Sequence, residues 1–401
     1  MITEERYFQM LLEEVEIQLG CKITSATECE KLSQELATNF SIQLTSQSIR
    51  RMYKLIKYDG GFNKHSLNCL SQYCYYQDYE DFKNKKSLND LDRYFQFQHK
   101  DEFQNNFFQI SEELCHQLID SPQLLMNSLH QLLENPMARK YFMEHHPMRD
   151  LLCTPYILYF QEYLKHNNSH EAKLFAYGFL FHAAFLSSND ELMQLYYQKI
   201  VETPIGKDVF VIPAGRKYGI MLLYADKIGD ENLFKNYFEE MKKARTFYLS
   251  QSESSVCSFE YMVLEELIYT QRKAEIQYLL ENQTTQKYPD QSFVPEKRKI
   301  SHQQVWLILS ARAYQILGNH ELSQSILSEI NLEFLTIGWQ KYYSIIYYYT
   351  LFPYSKQQRK ISKKLSTLIV ETKISYWQTK MEELANPKKI QASNISTPVL
   401  Y

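Results

Sequence analysis

The sequence is poor in glycine, with 10 glycines in 401 residues, where about 7% is usual. Glycine supplies the backbone conformations of tight turns and lets a ligand approach the main chain closely. The shortage therefore argues against Rossmann sheets, phosphate-binding loops, collagen and hairpin-rich barrels. What remains is a helical chain whose core draws on 32 tyrosines and 23 phenylalanines.

Paired cysteines, an export signal and a long apolar run are also missing. The seven cysteines show no C-x-x-C spacing, which favours reduced thiols and a cytoplasmic location. The N-terminal run MITEERYFQM has acids where a signal peptide has basic and then apolar residues. The longest apolar stretch, residues 174–186, is shorter than the roughly 20 residues of a membrane span. We expect a cytoplasmic protein that does not enter a membrane, and its net charge of −3 excludes a histone-like polyanion binder.

Composition divides the chain into four parts. We expect a head at residues 1–85, a charged connector at 86–105, a helical repeat domain at 106–384 and a loose tail at 385–401. The predicted fold class is all-α, with a small helix-turn-helix-like N-terminal domain followed by an α-solenoid of helical hairpins.

The repeat domain contains four helical hairpins that align on their turns. The turns lie at Ser188, Gly229, Thr270 and Gly318, at spacings of 41, 41 and 48 residues. Positions 4, 8, 9 and 12 after each turn are apolar in fifteen of sixteen cases, which puts them on one helix face. Position 4 holds Leu192, Leu233, Ala274 and Leu322. We interpret the face as core packing between stacked helices, with a ligand-binding aromatic box as the alternative.

The run ILSARAYQILGNHELSQSILSEI resembles a tetratricopeptide-like repeat. The residues in the family's places for pair packing and the tight turn are Ala313, Tyr314, Leu317, Gly318 and Asn319. The units are longer than the usual 34 residues or so, so only an α-solenoid is expected. A fifth pair follows, with a helix at 339–351 and one long helix at about 355–384. A solenoid groove is suited to a peptide or protein ligand.

In the head, the apolar pattern predicts three helices. The first covers residues 28–39, the second begins at Ser46 and continues past Ile56, and the third covers 64–74. Two of the ten glycines, at 60–61, are expected to stop the second helix. A helix, a turn and a capped second helix form the helix-turn-helix arrangement.

The second head helix has the composition of a DNA-contacting element. Residues 41–75 hold five basic side chains against one acid, and arginine or lysine there can reach phosphates or guanine edges. The predicted DNA-binding residues are Ser46, Gln47, Arg50, Arg51, Lys54, Lys57 and Lys64. A protein-docking role or a plain structural subdomain is the alternative.

The head also resembles a small helical module common at the N-termini of Bacteroidetes regulatory and repeat proteins. The matching residues are Leu44, Ser46, Ile49, Arg50, Arg51, Ser66, Leu67, Asn68, Leu70, Tyr73, Tyr76, Tyr79 and Phe82. The sequence departs from that module with Cys74 at the usual glycine and Tyr79 in place of tryptophan. The resemblance implies a helix-turn-helix-like domain in a bacterial cytoplasmic protein.

Motifs that carry enzyme chemistry are missing, so we expect no catalytic residue, cofactor or metal. His166 and His170 have the i, i+4 spacing of a helical zinc pair, but the residues between them are typical of a loop. The acid pairs at 239–240 and 265–266 are expected on solvated or groove-lining helix faces.

These observations together predict a regulatory protein. The head would bind DNA as part of a transcriptional regulator, and the repeat domain would bind a peptide or protein ligand. The alternative is a non-enzymatic interaction scaffold with no nucleic-acid role. A homodimer is left open.

Overall fold

The computed structural model describes residues 4–58, 63–86, 104–287 and 295–385. The regular structure in these ranges is helical, without a β-strand, which confirms the all-α class. None of the helices described is long and apolar enough to cross a membrane.

Three predictions lie wholly or largely outside the described residues. They are the glycine stop at 60–61, the connector at 86–105 and the tail at 385–401. The described residues form two compact units. Unit 1 holds those up to Gln104 together with His116–Leu125, and unit 2 holds Asn105–Cys115 and those from Met126 onward.

The first four helices of unit 1 contribute to one apolar core. They are α1 (Glu4–Leu19), α2 (Ala26–Asn39), α3 (Ser46–Met52) and α4 (Lys64–Tyr73). The side chains of Ser25, Thr45 and Asn63 each accept a backbone N–H in the first turn of α2, α3 and α4 respectively, which satisfies donors that a helix start leaves unpaired. The apolar face of each helix meets in one core, which includes Leu11, Val15, Leu32, Leu36, Ile49, Leu70, Tyr73 and Phe82.

Helix α3 is shorter than the apolar pattern predicted. The pattern extends from Ser46 past Ile56, whereas α3 ends at Met52. Lys54 has a φ of +55°, a left-handed conformation that ends helices. Lys54 and Lys57 therefore lie after α3 rather than on it.

Unit 2 consists mainly of helix pairs joined by short turns. The helices before the pairs include α5 (Gln104–Ile119), α6 (Pro122–Asn127), α7 (Leu129–Glu134) and α8 (Leu158–His166). The residues of α5 and of α6 are divided between unit 1 and unit 2. The five pairs are α9 (His170–Leu186) with α10 (Asp190–Glu202), α11 (Val211–Ile228) with α12 (Glu231–Ser254), α13 (Phe259–Leu267) with α14 (Lys273–Glu281), α15 (Glu296–Leu317) with α16 (His320–Glu329), and α17 (Gln340–Leu351) with α18 (Gln358–Thr372). The first helix of each pair packs against the first helix of the next pair.

Three of the four aligned turns share one local design. Ser188, Gly229 and Gly318 have positive φ values of 56°, 72° and 84°, and the next residue is Asn189, Asp230 or Asn319. That side chain accepts the N–H three residues later and caps the second helix. The third pair lacks the device, because the residue before α14 is Arg272, whose side chain makes no cap.

In the second helix of three pairs, the buried face begins one position later than predicted. Position 4 after the turn is partly exposed, at 41% for Leu192 and 37% for Leu322. Position 5 is buried instead, as Met193, Phe234 and Ser323. The cap begins the second helix so that position 5, rather than position 4, faces the first helix of the pair.

The long helix predicted at about 355–384 is two helices. Helix α18 ends at Thr372, Lys373 has a φ of +58°, and α19 begins at Ser375 and ends at Ala385. Helix α19 packs on α18 and returns to α9, where the Ser375 hydroxyl donates to the Leu186 carbonyl.

Helices α11 and α13 approach closely because α11 presents glycines to α13. A Cβ at Gly215 would lie 2.9 Å from the Phe259 carbonyl oxygen. A Cβ at Gly219 would lie 2.8 Å from Cγ of Glu266. The glycines therefore bring α13, and the acids on it, against α11.

We expect Gly215→Ala to destabilise unit 2 by about 1–3 kcal/mol through overpacking. Helix propensity alone would give the opposite sign, a gain of about 1 kcal/mol. Urea unfolding followed by the fluorescence of Trp306, Trp339 and Trp377, all in unit 2, measures the difference. Lys227→Ala, at an exposed position of the same helix, is the control, and a stabilised Gly215→Ala protein would contradict the close approach.

Candidate functional site

The predicted DNA-binding residues of the head differ in exposure. Gln47, Lys54, Lys57 and Lys64 are exposed, whereas the other three, Ser46, Arg50 and Arg51, are half-buried. Gln47 lies in the first turn of α3, and Lys64 is the first residue of α4. Lys54 and Lys57 share the short segment that follows α3.

Both arginines of α3 have partners within the head. The Arg50 guanidinium lies 2.7 Å from the Glu30 carboxylate of α2, and Cζ of Arg51 lies 5.0 Å from the centre of the Tyr58 ring. A surface ion pair is worth only about 0–1 kcal/mol, but it reduces the positive charge that α3 presents.

The three lysines are different. Within the described part of the chain, Lys54, Lys57 and Lys64 take part in no ion pair. We call Gln47 and these three lysines the head surface. Its three lysines are exposed to solvent, and no described acid neutralises their charge.

Unit 2 contains buried charges where the sequence predicted exposed ones. Glu239 and Glu240 are exposed as predicted, but the prediction for Glu265 and Glu266 was wrong, since both are buried. The glycines of α11 bring α13 close enough to remove both carboxylates from water. Two arginines and a histidine are buried with them, and we call the set the buried charge cluster: Arg149, His182, Arg216, Glu265, Glu266, Tyr342 and Tyr343.

Two arginines converge on Glu265. Nη2 of Arg149 lies 3.0 Å from the carboxylate and Nη2 of Arg216 lies 3.5 Å from it, and the Tyr343 hydroxyl donates to it. Burial opposes ionisation of Glu265, but the two guanidinium groups outweigh it and hold the pKa below its usual range. The Phe179 ring lies beside both arginines, 5.4 Å from Cζ of Arg149 and 4.1 Å from Cζ of Arg216.

Glu266 anchors a second line of polar groups. Its carboxylate lies 3.1 Å from Nδ1 of His182, whose Nε2 lies 2.7 Å from the Tyr342 hydroxyl. The Tyr342 hydroxyl lies 2.7 Å from that of Tyr269. These groups belong to α9, α13, α17 and the turn after α13, so the line joins the first, third and fifth pairs.

One feature of the sequence indicates this cluster. Arg216 and His182 interrupt apolar helices, and a charged or polar residue on an otherwise buried face usually has a buried partner. Arg149 gave no such signal, because it lies in a short turn between helices. The ion pairs could not be predicted from local sequence, because Glu265 is 116 residues from Arg149 and 49 residues from Arg216.

Cys257 and His302 form the kind of pair that a nucleophilic enzyme uses. The Sγ of Cys257 lies 3.2 Å from Nδ1 of His302. Both side chains are buried, and burial raises the pKa of the thiol to about 12. A reactive cysteine needs the thiolate, so this pair is suited to packing rather than to nucleophilic attack.

Unit 2 also has a pocket of about 440 Å³ on the side where the turns lie. Its wall includes Asp226 at the end of α11, the turn from Tyr269 to Arg272, Arg312 of α15 and Tyr349 of α17. Helix α19 closes it with Tyr376, Lys380 and Glu383. The sequence predicted a groove for a peptide or protein, but it did not predict this pocket.

His166 and His170 do not share a helix. Helix α8 ends at His166 and α9 begins at His170, where the imidazole lies 3.1 Å from Asp208. Across the described ranges no group of three or more histidine, cysteine or acidic residues is placed to hold a metal ion.

Comparison with known proteins gives no relative: no family model, no curated protein and no solved structure matches the chain.

We expect Glu265→Gln to destabilise unit 2 by about 3–5 kcal/mol, because it leaves two buried guanidinium groups without their carboxylate. Glu239→Gln makes the same change at an exposed glutamate paired with Lys242 and should cost less than about 1 kcal/mol. Urea unfolding followed by tryptophan fluorescence compares the two. Equal small losses would mean that the buried charge cluster contributes little.

Asp150 makes stability depend on pH. Its buried carboxylate accepts the Tyr342 N–H at 2.8 Å, and burial raises its pKa from 3.8 to about 6. The folded protein therefore holds a proton that the unfolded chain has already released between these values, so this contribution is full below about pH 4 and is lost as the pH rises through 6.

Wild type should accordingly lose about 3 kcal/mol of unfolding free energy relative to Asp150→Asn between pH 4 and pH 7. Asparagine keeps the acceptor oxygen but does not titrate. Urea unfolding at a series of pH values gives the difference, with Glu329→Gln, an exposed acid, as the control. Parallel curves for wild type and Asp150→Asn would refute the raised pKa.

Proposed function

We propose that the protein is a regulator whose head binds DNA and whose repeat domain binds a peptide or protein. The observation that carries the DNA part is that Gln47, Lys54, Lys57 and Lys64 of the head surface are exposed and that none of the three lysines takes part in an ion pair within the described residues. Lysines of this kind bind phosphates as point charges. Gln47 is the group that can donate to a base edge.

The ending of α3 at Met52 changes how such a head would bind. A helix of seven residues gives few positions for reading bases, and Arg50 is engaged with Glu30. Phosphate contacts from the lysines after α3 and at the start of α4 are therefore the larger part of the proposed interaction. Such contacts orient a protein on the duplex and make its affinity depend strongly on salt.

Exposed apolar side chains support the second half of the proposal. On α10, Leu192 is 41% and Leu195 is 45% exposed, and on α16, Leu322 is 37% exposed. They lie on second helices, whereas the first helices stack on one another. Exposed apolar side chains on such helices are suited to contact with a protein or peptide.

We expect Lys54→Ala with Lys57→Ala to weaken DNA binding about tenfold or more. The slope of log affinity against log salt should fall by about two, since each phosphate contact contributes about 0.9. Fluorescence anisotropy of full-length protein with a labelled duplex, measured at several salt concentrations, gives both quantities.

Lys22→Ala with Lys31→Ala removes the same charge from exposed lysines elsewhere in the head and serves as the matched control. If both double variants bind as wild type does, the head surface is not the DNA contact. Random-site selection with wild type then tests the rival function, because an interaction scaffold would enrich no sequence.

A further inference from the structure

The pocket of unit 2 has the size and the access of a small-molecule site. Its volume of about 440 Å³ falls within the roughly 300–1,000 Å³ that is usual for such sites. A second space of about 190 Å³ adjoins it and shares Asp226, Tyr269, Tyr376 and Lys380 with it. The two spaces together run along the side of α19.

Two of the three cations in the wall already have acidic partners. Arg272 is bound to Asp226 and, through both terminal nitrogens, to Glu231. Lys380 lies 2.8 Å from the Glu383 carboxylate. Asp226 and Glu383, the two acids of the wall, are thus both engaged.

Arg312 is the third cation, and no ion pair is formed by it within the described residues. Its Nη1 donates to the side chain of Gln315, and its Cζ lies 5.0 Å from the centre of the Tyr349 ring. Its Nε is buried without a hydrogen-bond partner. A guanidinium without a counter-charge is costly to remove from water, and an anion in the pocket would supply that counter-charge.

The remainder of the wall indicates what else the ligand carries. Tyr269, Tyr349 and Tyr376 are among the residues that line the pocket, and the rings of Tyr269 and Tyr376 meet edge to face at 5.2 Å. Tyrosines around a cavity favour a flat aromatic body, which packs against their rings. The planar fork of arginine matches a carboxylate better than a spherical anion.

We propose that this pocket binds a small aromatic carboxylic acid, with its carboxylate on Arg312 and its ring among the three tyrosines. The site lies in unit 2 and does not depend on the proposed DNA binding. Because Tyr376 and Lys380 belong to α19, the ligand would join this helix to the α15 and α17 helices. Binding therefore also holds α19 in place.

The test uses full-length protein and two probes of equal shape, 3-phenylpropanoate and its neutral amide, 3-phenylpropanamide. Isothermal titration should detect binding of the acid and at least about tenfold weaker binding of the amide, as expected for the loss of a charged hydrogen-bonded pair. Hydrogen exchange should show slower exchange of the amides of α19 when the acid is bound. Wild type that binds neither probe, or both equally, would overturn the proposal.

Variants assign the binding to Arg312. Arg312→Gln should weaken binding of the acid at least about tenfold, and Arg312→Lys, which keeps the charge but not the fork, should lie between it and wild type. Arg359→Gln removes an exposed arginine of α18 and should bind as wild type does. If Arg312→Gln fails to fold, as tryptophan fluorescence would reveal, the lysine variant alone decides. Unchanged affinity in the folded Arg312 variants would place the ligand elsewhere and refute the site.

Discussion

The packing of unit 2 depends on one buried interaction, the convergence of Arg149 and Arg216 on the carboxylate of Glu265. The three groups come from a turn, from α11 and from α13, so none can move without leaving a charge unpaired away from water. Such a charge costs several kcal/mol, and nearby alternative arrangements of these elements are therefore unfavourable. The close approach allowed by Gly215 and Gly219 is the condition for this pairing, because it brings α13 and its acids against α11.

Charge compensation also distinguishes the buried charge cluster from the two proposed binding sites. In the buried charge cluster the acids and arginines satisfy one another, and the cluster holds helices together. At Arg312 and at the lysines of the head surface, the described residues supply no acid. A positive charge without an acidic partner is available to an external anion, a carboxylate in one case and a phosphate in the other.

Local sequence encodes some features of the fold and not others. The turns at Gly229 and Gly318 were predictable, because a glycine followed by aspartate or asparagine encodes both the left-handed residue and the cap in adjacent positions. The exposure of position 4 and the break at Lys373 were not, since leucine and lysine carry no local mark of either. The surroundings of Glu265, Arg312 and α19 could not be predicted either. The residues that contact them are distant in sequence, and the apolar pattern of a single helix carries no information about them.

Sequence alone thus determined the helical class and the places of several turns and helix ends, because these follow from apolar periodicity and capping within about twenty residues. The candidate residues of the head were named from composition in the same way, although their exposure and ion pairing were not. Which acids are buried, which arginines pair with an acid and where a pocket opens were decided by the tertiary structure. The reason is physical: burial and charge compensation are properties of groups brought together from several helices, and they exist only after those helices have packed.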